Sequence, residues 1–236
     1  MDYEGGGSSI ELWLAEHEDP GLDSKLRERV QEELRWEPGL DSSSIVLESR
    51  DRAITLLGSV RSYPEKVAAE RAAARVPRVQ QLTNRLHVEL PPGHERPDAT
   101  LLEEATRVLA WDALVPAGRV RTTVCEGCVT LEGQVDWDHQ RVTAEQAVQP
   151  LIGVKAVENR ITVQPKWVTG ELQEEVTAAV RHRHEWHTRH VRIETVRGVV
   201  VLRGRVPSLA ERSATEHAVW NVPGVLGGVN ELTIDR

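Results

Sequence analysis

Leu56-Leu57-Gly58-Ser59-Val60, Leu131-Glu132-Gly133-Gln134-Val135 and Leu202-Arg203-Gly204-Arg205-Val206 are three occurrences of one Leu-x-Gly-x-Val pentad. Each is followed by an Asn-x-aliphatic-x-aliphatic pentad, beginning at Asn84, Asn159 and Asn230, with the asparagine 26 residues after the glycine every time. A spacing held through three copies is the mark of an internal repeat, and a repeat decides architecture before any single side chain does. The 236 residues therefore divide into an acidic, flexible segment at 1–20 and three units at 21–90, 97–165 and 168–236.

Upstream of each glycine pentad, apolar residues recur every four positions: Leu22, Leu26, Val30 and Leu34, then Leu101, Ala105 and Leu109, then Leu172, Val176 and Val180. That spacing predicts one buried stripe on an amphipathic helix. Trp36, Trp111 and Trp186 follow the stripes and are read as aromatic plugs of the three cores. Counted from its tryptophan, the third unit reaches its first strand in five residues where the others take nine.

Two short β-prone runs come next, joined by Glu126-Gly127 in the second unit and Arg197-Gly198 in the third, where glycine accepts the positive φ of a tight hairpin. The first unit has Asp51-Arg52 at that place, a less specified turn. A second helix is announced by the capping boxes Ser62-x-x-Glu65 and Ser208-x-x-Glu211, with Asp136 or Asp138 as the cap in the second unit. Small residues follow on it (Ala68, Ala72 and Val76; Thr143, Ala147 and Leu151; Ala214, Ala218 and Val222), and the last strand runs through the asparagine pentad. The fold class is α+β: three tandem αββαβ units, each a mixed three-stranded sheet with two helices on one face and a right-handed final crossover. The links are short, so the units should touch.

Composition narrows the function. No run approaches a membrane span, and two cysteines make no disulfide framework. Nothing before Lys25 resembles a leader, so the expected location is cytoplasmic, at most peripheral to a membrane. The net charge is −8, with eleven Asp/Glu against four Lys/Arg in residues 1–40 and eight Arg against three Glu in residues 181–212. An acidic total argues against nucleic acid but allows one local anion site.

These residues resemble the BON (bacterial OsmY and nodulation) domain, in three tandem copies over about 21–236. The resemblance rests on Trp36-Glu37-Pro38, Trp111-Asp112, the Leu-x-Gly-x-Val hairpin ends, the helix Tyr63–Ala72, the Gly153-Val154 and Gly224-Val225 steps and the asparagine pentads. It implies a bacterial, non-enzymatic module associated with osmotic or envelope stress, some of whose members are linked to anionic phospholipid.

The chemistry-bearing candidates are few. Cys125-Glu126-Gly127-Cys128 flanks a hairpin turn, without the helix N-terminus of a redox pair or the second pair of a zinc site, and reads first as structural, then as a reversible disulfide or shared metal ligand. His182, His184, His187 and His190 stand among Arg181, Arg183 and Arg189. That stretch is a solvated basic helix end, an anion or headgroup site formed by Arg181, Arg183, Arg189, Arg192, His187 and His190, or, least favoured beside so many arginines, a metal site. Gly58, Gly133 and Gly204 with Asn84, Asn159 and Asn230 are read as structural, and Glu70, Glu145 and Glu216 as surface pairs on the second helix. No catalytic constellation or cofactor motif emerges, so the expectation is no enzyme and no cofactor. The function expected is a stress-associated scaffold for an unknown protein partner, the alternative a peripheral binder of anionic phospholipid or another small anion through the third unit.

Overall fold

The computed structural model describes residues 20–164, 172–183, 191–196, 198–222, 224–225 and 227–235, apart from the side chains of 20, 21, 173 and 181–183. In the first unit α1 (Pro20–Trp36) leads through a short 3-10 turn to β1 (Ile45–Arg50) and β2 (Ala53–Val60), then α2 (Tyr63–Arg75) and a last strand in two pieces, β3 (Gln81–Asn84) and β4 (His87–Val88). The second unit has α3 (Asp98–Trp111), β5 (Val120–Cys125), β6 (Cys128–Val135), α4 (Asp138–Val148) and β7 (Ala156–Val163). The third has α5 (Leu172–Arg183), β8 (Val191–Val196), β9 (Val199–Val206), α6 (Leu209–Trp220) and β10 (Gly227–Ile234). Each sheet is mixed, with the middle strand antiparallel to the first and parallel to the last.

Burial alternates along the middle strands, so one face of each sheet meets the two helices and the other is open. The first core joins Leu26, Val30 and Leu34 to Ile54, Leu56 and Val60 and to Ala69, Ala72 and Ala73. Ala72, Val76, Ala218 and Val222 of the expected stripes are buried, but the stripe is offset by one residue at Ala69, in place of Ala68, and at Ala144 and Val148, in place of Thr143 and Ala147. A helix turn of 3.6 residues lets a 3-4-3 spacing face the sheet better than a strict four.

Gly58 and Gly133 hold the hairpins close to what precedes them. Their φ values are +105 and +147, and a Cβ would lie 2.0 Å from the carbonyl oxygen of Ser44 or Arg119. Both hairpin turns are clamped by an aspartate of the first helix. Asp23 accepts from the Asp51 and Arg52 amides at 2.9 and 3.1 Å, and Asp98 from those of Glu126 and Gly127 at 2.8 and 3.0 Å. The turn without glycine, with φ of 50 and 62 at Asp51 and Arg52, is thus specified from outside the hairpin.

Trp36 and Trp111 are not the core plugs expected from the sequence. Trp36 is 76% and Trp111 87% exposed, so neither plugs a core. Each stands two positions after its stripe, at Leu34 or Leu109, and residues two apart on a helix point to opposite sides. Trp186 lies outside the described residues. Leu34, Leu109 and Val180 are all buried and all stand 24 residues before the pentad glycine. The third unit is therefore not shortened: position 182, a histidine, is the counterpart of Trp36 and Trp111.

Candidate functional site

The repeated asparagines tie the second helix to the last strand. Asn84 Nδ2 donates to the Lys66 carbonyl and to Glu70, Asn159 Nδ2 to the Arg141 carbonyl and Glu145, all at 3.0 to 3.1 Å, while each Oδ1 accepts from the amide two residues on, at 3.1 Å. Asn230 makes the same bonds to Glu216 and from Leu232. Glu70, Glu145 and Glu216 are thus partners of the asparagines, and Glu145 and Glu216 also pair along their helices as expected, accepting from Gln149 at 3.3 Å and Trp220 at 3.4 Å. Both ends of each amide are occupied internally, which leaves these residues to architecture.

The position five residues after the pentad glycine carries the contacts between units, and it differs in each copy: Tyr63, Asp138 and Leu209. Tyr63 packs into the second unit's core cluster. Burial and the nearby Glu145 charge raise its phenol above the usual value, against the opposing effect of a hydrogen bond with the Val157 backbone. Asp138 reaches the third unit, where His217 Nδ1 lies 3.0 Å from its carboxylate, and the His139 amide donates to Asn221 at 3.0 Å. Leu209 packs against the first core as well as its own, and the Arg78 amide donates to the Pro207 carbonyl at 3.2 Å. First meets second, second meets third and third meets first by one repeated element. That is the head-to-tail contact that closes a ring.

Asp138 was a candidate cap but sits inside the first turn of α4, buried between Arg141, whose Nε donates at 2.8 Å, and His217. The other candidate, Asp136, pairs with Arg119 at 3.0 Å. Gln140 caps instead, accepting from the Asp136 and Trp137 amides at 3.0 and 3.2 Å. Burial pushes the Asp138 carboxyl up, but the hydrogen bonds from His217 and Arg141 prevail and hold it below the ordinary carboxylate value. The bond to Asp138 raises His217 above 6.5 against the cost of its burial.

Of the expected anion-site residues only Arg192 has a described side chain, exposed on β8 opposite Arg203. The side chains of Arg181 and Arg183, and all of His187, Arg189 and His190, lie outside the described residues. Arg203 is held by Glu231 at 2.6 Å and Glu194 at 3.3 Å. Two arginines not singled out in the sequence, Arg205 and Arg212, line a cleft between the third and first units together with Gln80, Leu232, Thr233 and Ile234. Only their place in the basic stretch hinted at it. Cys125 and Cys128 are register partners across the hairpin and carry free thiols. Burial, then the Glu158 charge, pushes the Cys128 thiol up, away from thiolate chemistry. Among the described residues no cluster suits a metal ion, and no helix is long and apolar enough to cross a membrane.

The BON domain matches the chain three times, over residues 22–89, 97–165 and 169–236. The chain belongs to the BON domain family. Among curated relatives, this BON chain is 30% identical to the osmotically-inducible protein Y of Escherichia coli (strain K12) over 142 residues, 58% of the chain and 70% of that protein. Among solved structures, the C-terminal domain of CdsD, the structural protein of the type III secretion system of Chlamydia trachomatis, is 11% identical and covers 89% of this chain and 98% of its own, at a TM-score of 0.25. So low a score gives no guide to how these three BON units are arranged.

Proposed function

We propose that this protein is a non-enzymatic scaffold of the osmotic stress response, whose BON units present a shared surface to a protein partner. The observation that carries the reading is the pair Trp36 and Trp111, exposed at equivalent positions of two units. Large aromatics at 76% and 87% exposure are costly to leave in water and are the residues that most often dominate protein interfaces. Units joined by one repeated contact carry equivalent residues to a common side, so one partner can engage both. The resemblance to an osmotically inducible protein supports the physiological setting. In a pull-down from osmotically stressed bacteria, Trp36→Ala with Trp111→Ala should lose the specific partner bands, and an unchanged set would refute the reading.

A second reading, peripheral binding of anionic phospholipid or another small anion through the third unit, is favoured by the outward placement of Arg192 and Arg205 on its open sheet face. Flotation with anionic but not neutral vesicles, weakened by salt, is its test.

A further inference from the structure

We propose that the cleft where the third unit meets the first is a binding site for a phosphoryl group carried on a small organic body, held by Arg205 and Arg212 with Gln80. The site deepens the second reading above and rests on it. The cleft has a volume of about 600 Å³, within the range of small-molecule sites. Arg205 enters from β9 and Arg212 from α6, while Gln80 comes from the neighbouring unit. Among the described residues neither arginine has a carboxylate within ion-pairing distance, in contrast to Arg203, Arg160 and Arg119. Both arginines line the one cleft, and their planar guanidinium forks suit phosphate oxygens.

The geometry is partly set in advance. Arg212 is half-buried and donates to the Asn230 carbonyl at 3.4 Å, which orients its guanidinium. The Thr233 hydroxyl is committed to the Gly204 carbonyl at 3.1 Å, so arginine and the Gln80 carboxamide supply the donors. Leu232 and Ile234 are buried core residues that also line the cleft, and beside such apolar surface a charged hydrogen bond is stronger than in open water. The other two joints lack this combination. Ser59 and Lys66 stand in place of Arg205 and Arg212 in the first unit, and Gln134 and Arg141 in the second, where Arg141 is taken by Asp138 at 2.7 Å.

The experiment is calorimetric titration of the whole chain with inorganic phosphate and with sn-glycerol 3-phosphate, and flotation with phosphatidylglycerol or phosphatidylcholine vesicles. Arg205→Gln, the residue found at the equivalent position 134, and Arg212→Gln are compared with Arg107→Gln, exposed on α3 and outside the cleft. Each cleft substitution should weaken glycerol phosphate by about tenfold or more, with Arg107→Gln near wild type and the thermal melts unchanged. Flotation that falls with the cleft variants assigns the phosphoryl group to a lipid headgroup. Soluble binding that falls while flotation never occurs assigns it to a free phosphomonoester. If neither phosphate probe binds, or both bind the Arg205→Gln/Arg212→Gln protein as well as wild type, the site is refuted. Phosphatidylglycerol flotation persisting in that case leaves the second reading standing elsewhere on the third unit, and its absence removes both.

Discussion

Asn159 shows what one side chain does in this repeat. It links the Arg141 carbonyl, the Glu145 carboxylate and the Ile161 amide, closing α4 onto β7. Asn159→Ala should therefore cost about 1–3 kcal/mol, because partly buried partners lose their bonds rather than exchange them for water. Asn159→Asp should cost more, since a second carboxylate would face Glu145, and urea unfolding would measure both. Trp111 is the contrasting case. A core ring would cost about 3–5 kcal/mol on truncation, whereas the exposed ring predicts a change within about 0.5 kcal/mol for Trp111→Ala. That exposure was open to reading in the sequence: the distance of two residues from Leu109 already places the ring opposite the apolar stripe.

At the level of elements, the hairpins and helices were legible because their signals are local: a period of four, a Gly turn, a Ser-x-x-Glu box. The aspartate clamp was not. Asp98 and the turn it holds are 28 residues apart, and nothing in the hairpin itself signals a missing partner. Asp98→Ala should loosen the turn at Glu126, whose φ is 51, and cost about 1–3 kcal/mol, the worth of bonds to a charged acceptor. Hydrogen exchange at the Glu126 and Gly127 amides would rise in that variant, and unchanged protection would show the turn to be self-sufficient. Gly133→Ala is the more severe lesion, because a φ of +147 and a carbonyl at 2.0 Å leave no place for the methyl. Gly133→Ala should therefore lower the urea midpoint of the whole chain by more than Asp98→Ala does.

At the scale of the whole molecule the three joints are made by one position with three chemistries, which is why the ring was not legible: Tyr63, Asp138 and Leu209 share no residue type that would mark them as equivalent. The candidate cleft was hidden for the same reason, since Gln80 and Arg205 meet only when the third unit closes on the first. The differing chemistries also make one joint responsive to pH. His217 is raised above 6.5, so its contribution to the joint between the second and third units is complete below 6.5 and fades as pH rises through its higher folded value. Asp138 is lowered below 3.8, so its contribution is complete above 3.8 and fades only as pH falls through its lower folded value. The groups facing the pair, Arg141 and Glu216, act on His217 in opposite senses, the arginine lowering it and the glutamate raising it. The joint is thus tightest between 3.8 and 6.5 and loosens on the alkaline side first. The pair is half in solvent at the histidine, so the loss should be on the order of 1 kcal/mol or less. The thermal midpoint of the whole chain and the protection of the His139 amide, which spans the joint, should both fall from pH 6 upward in wild type and stay flat in His217→Gln. A wild-type profile as flat as the variant's would mean that the buried contacts alone hold the joint.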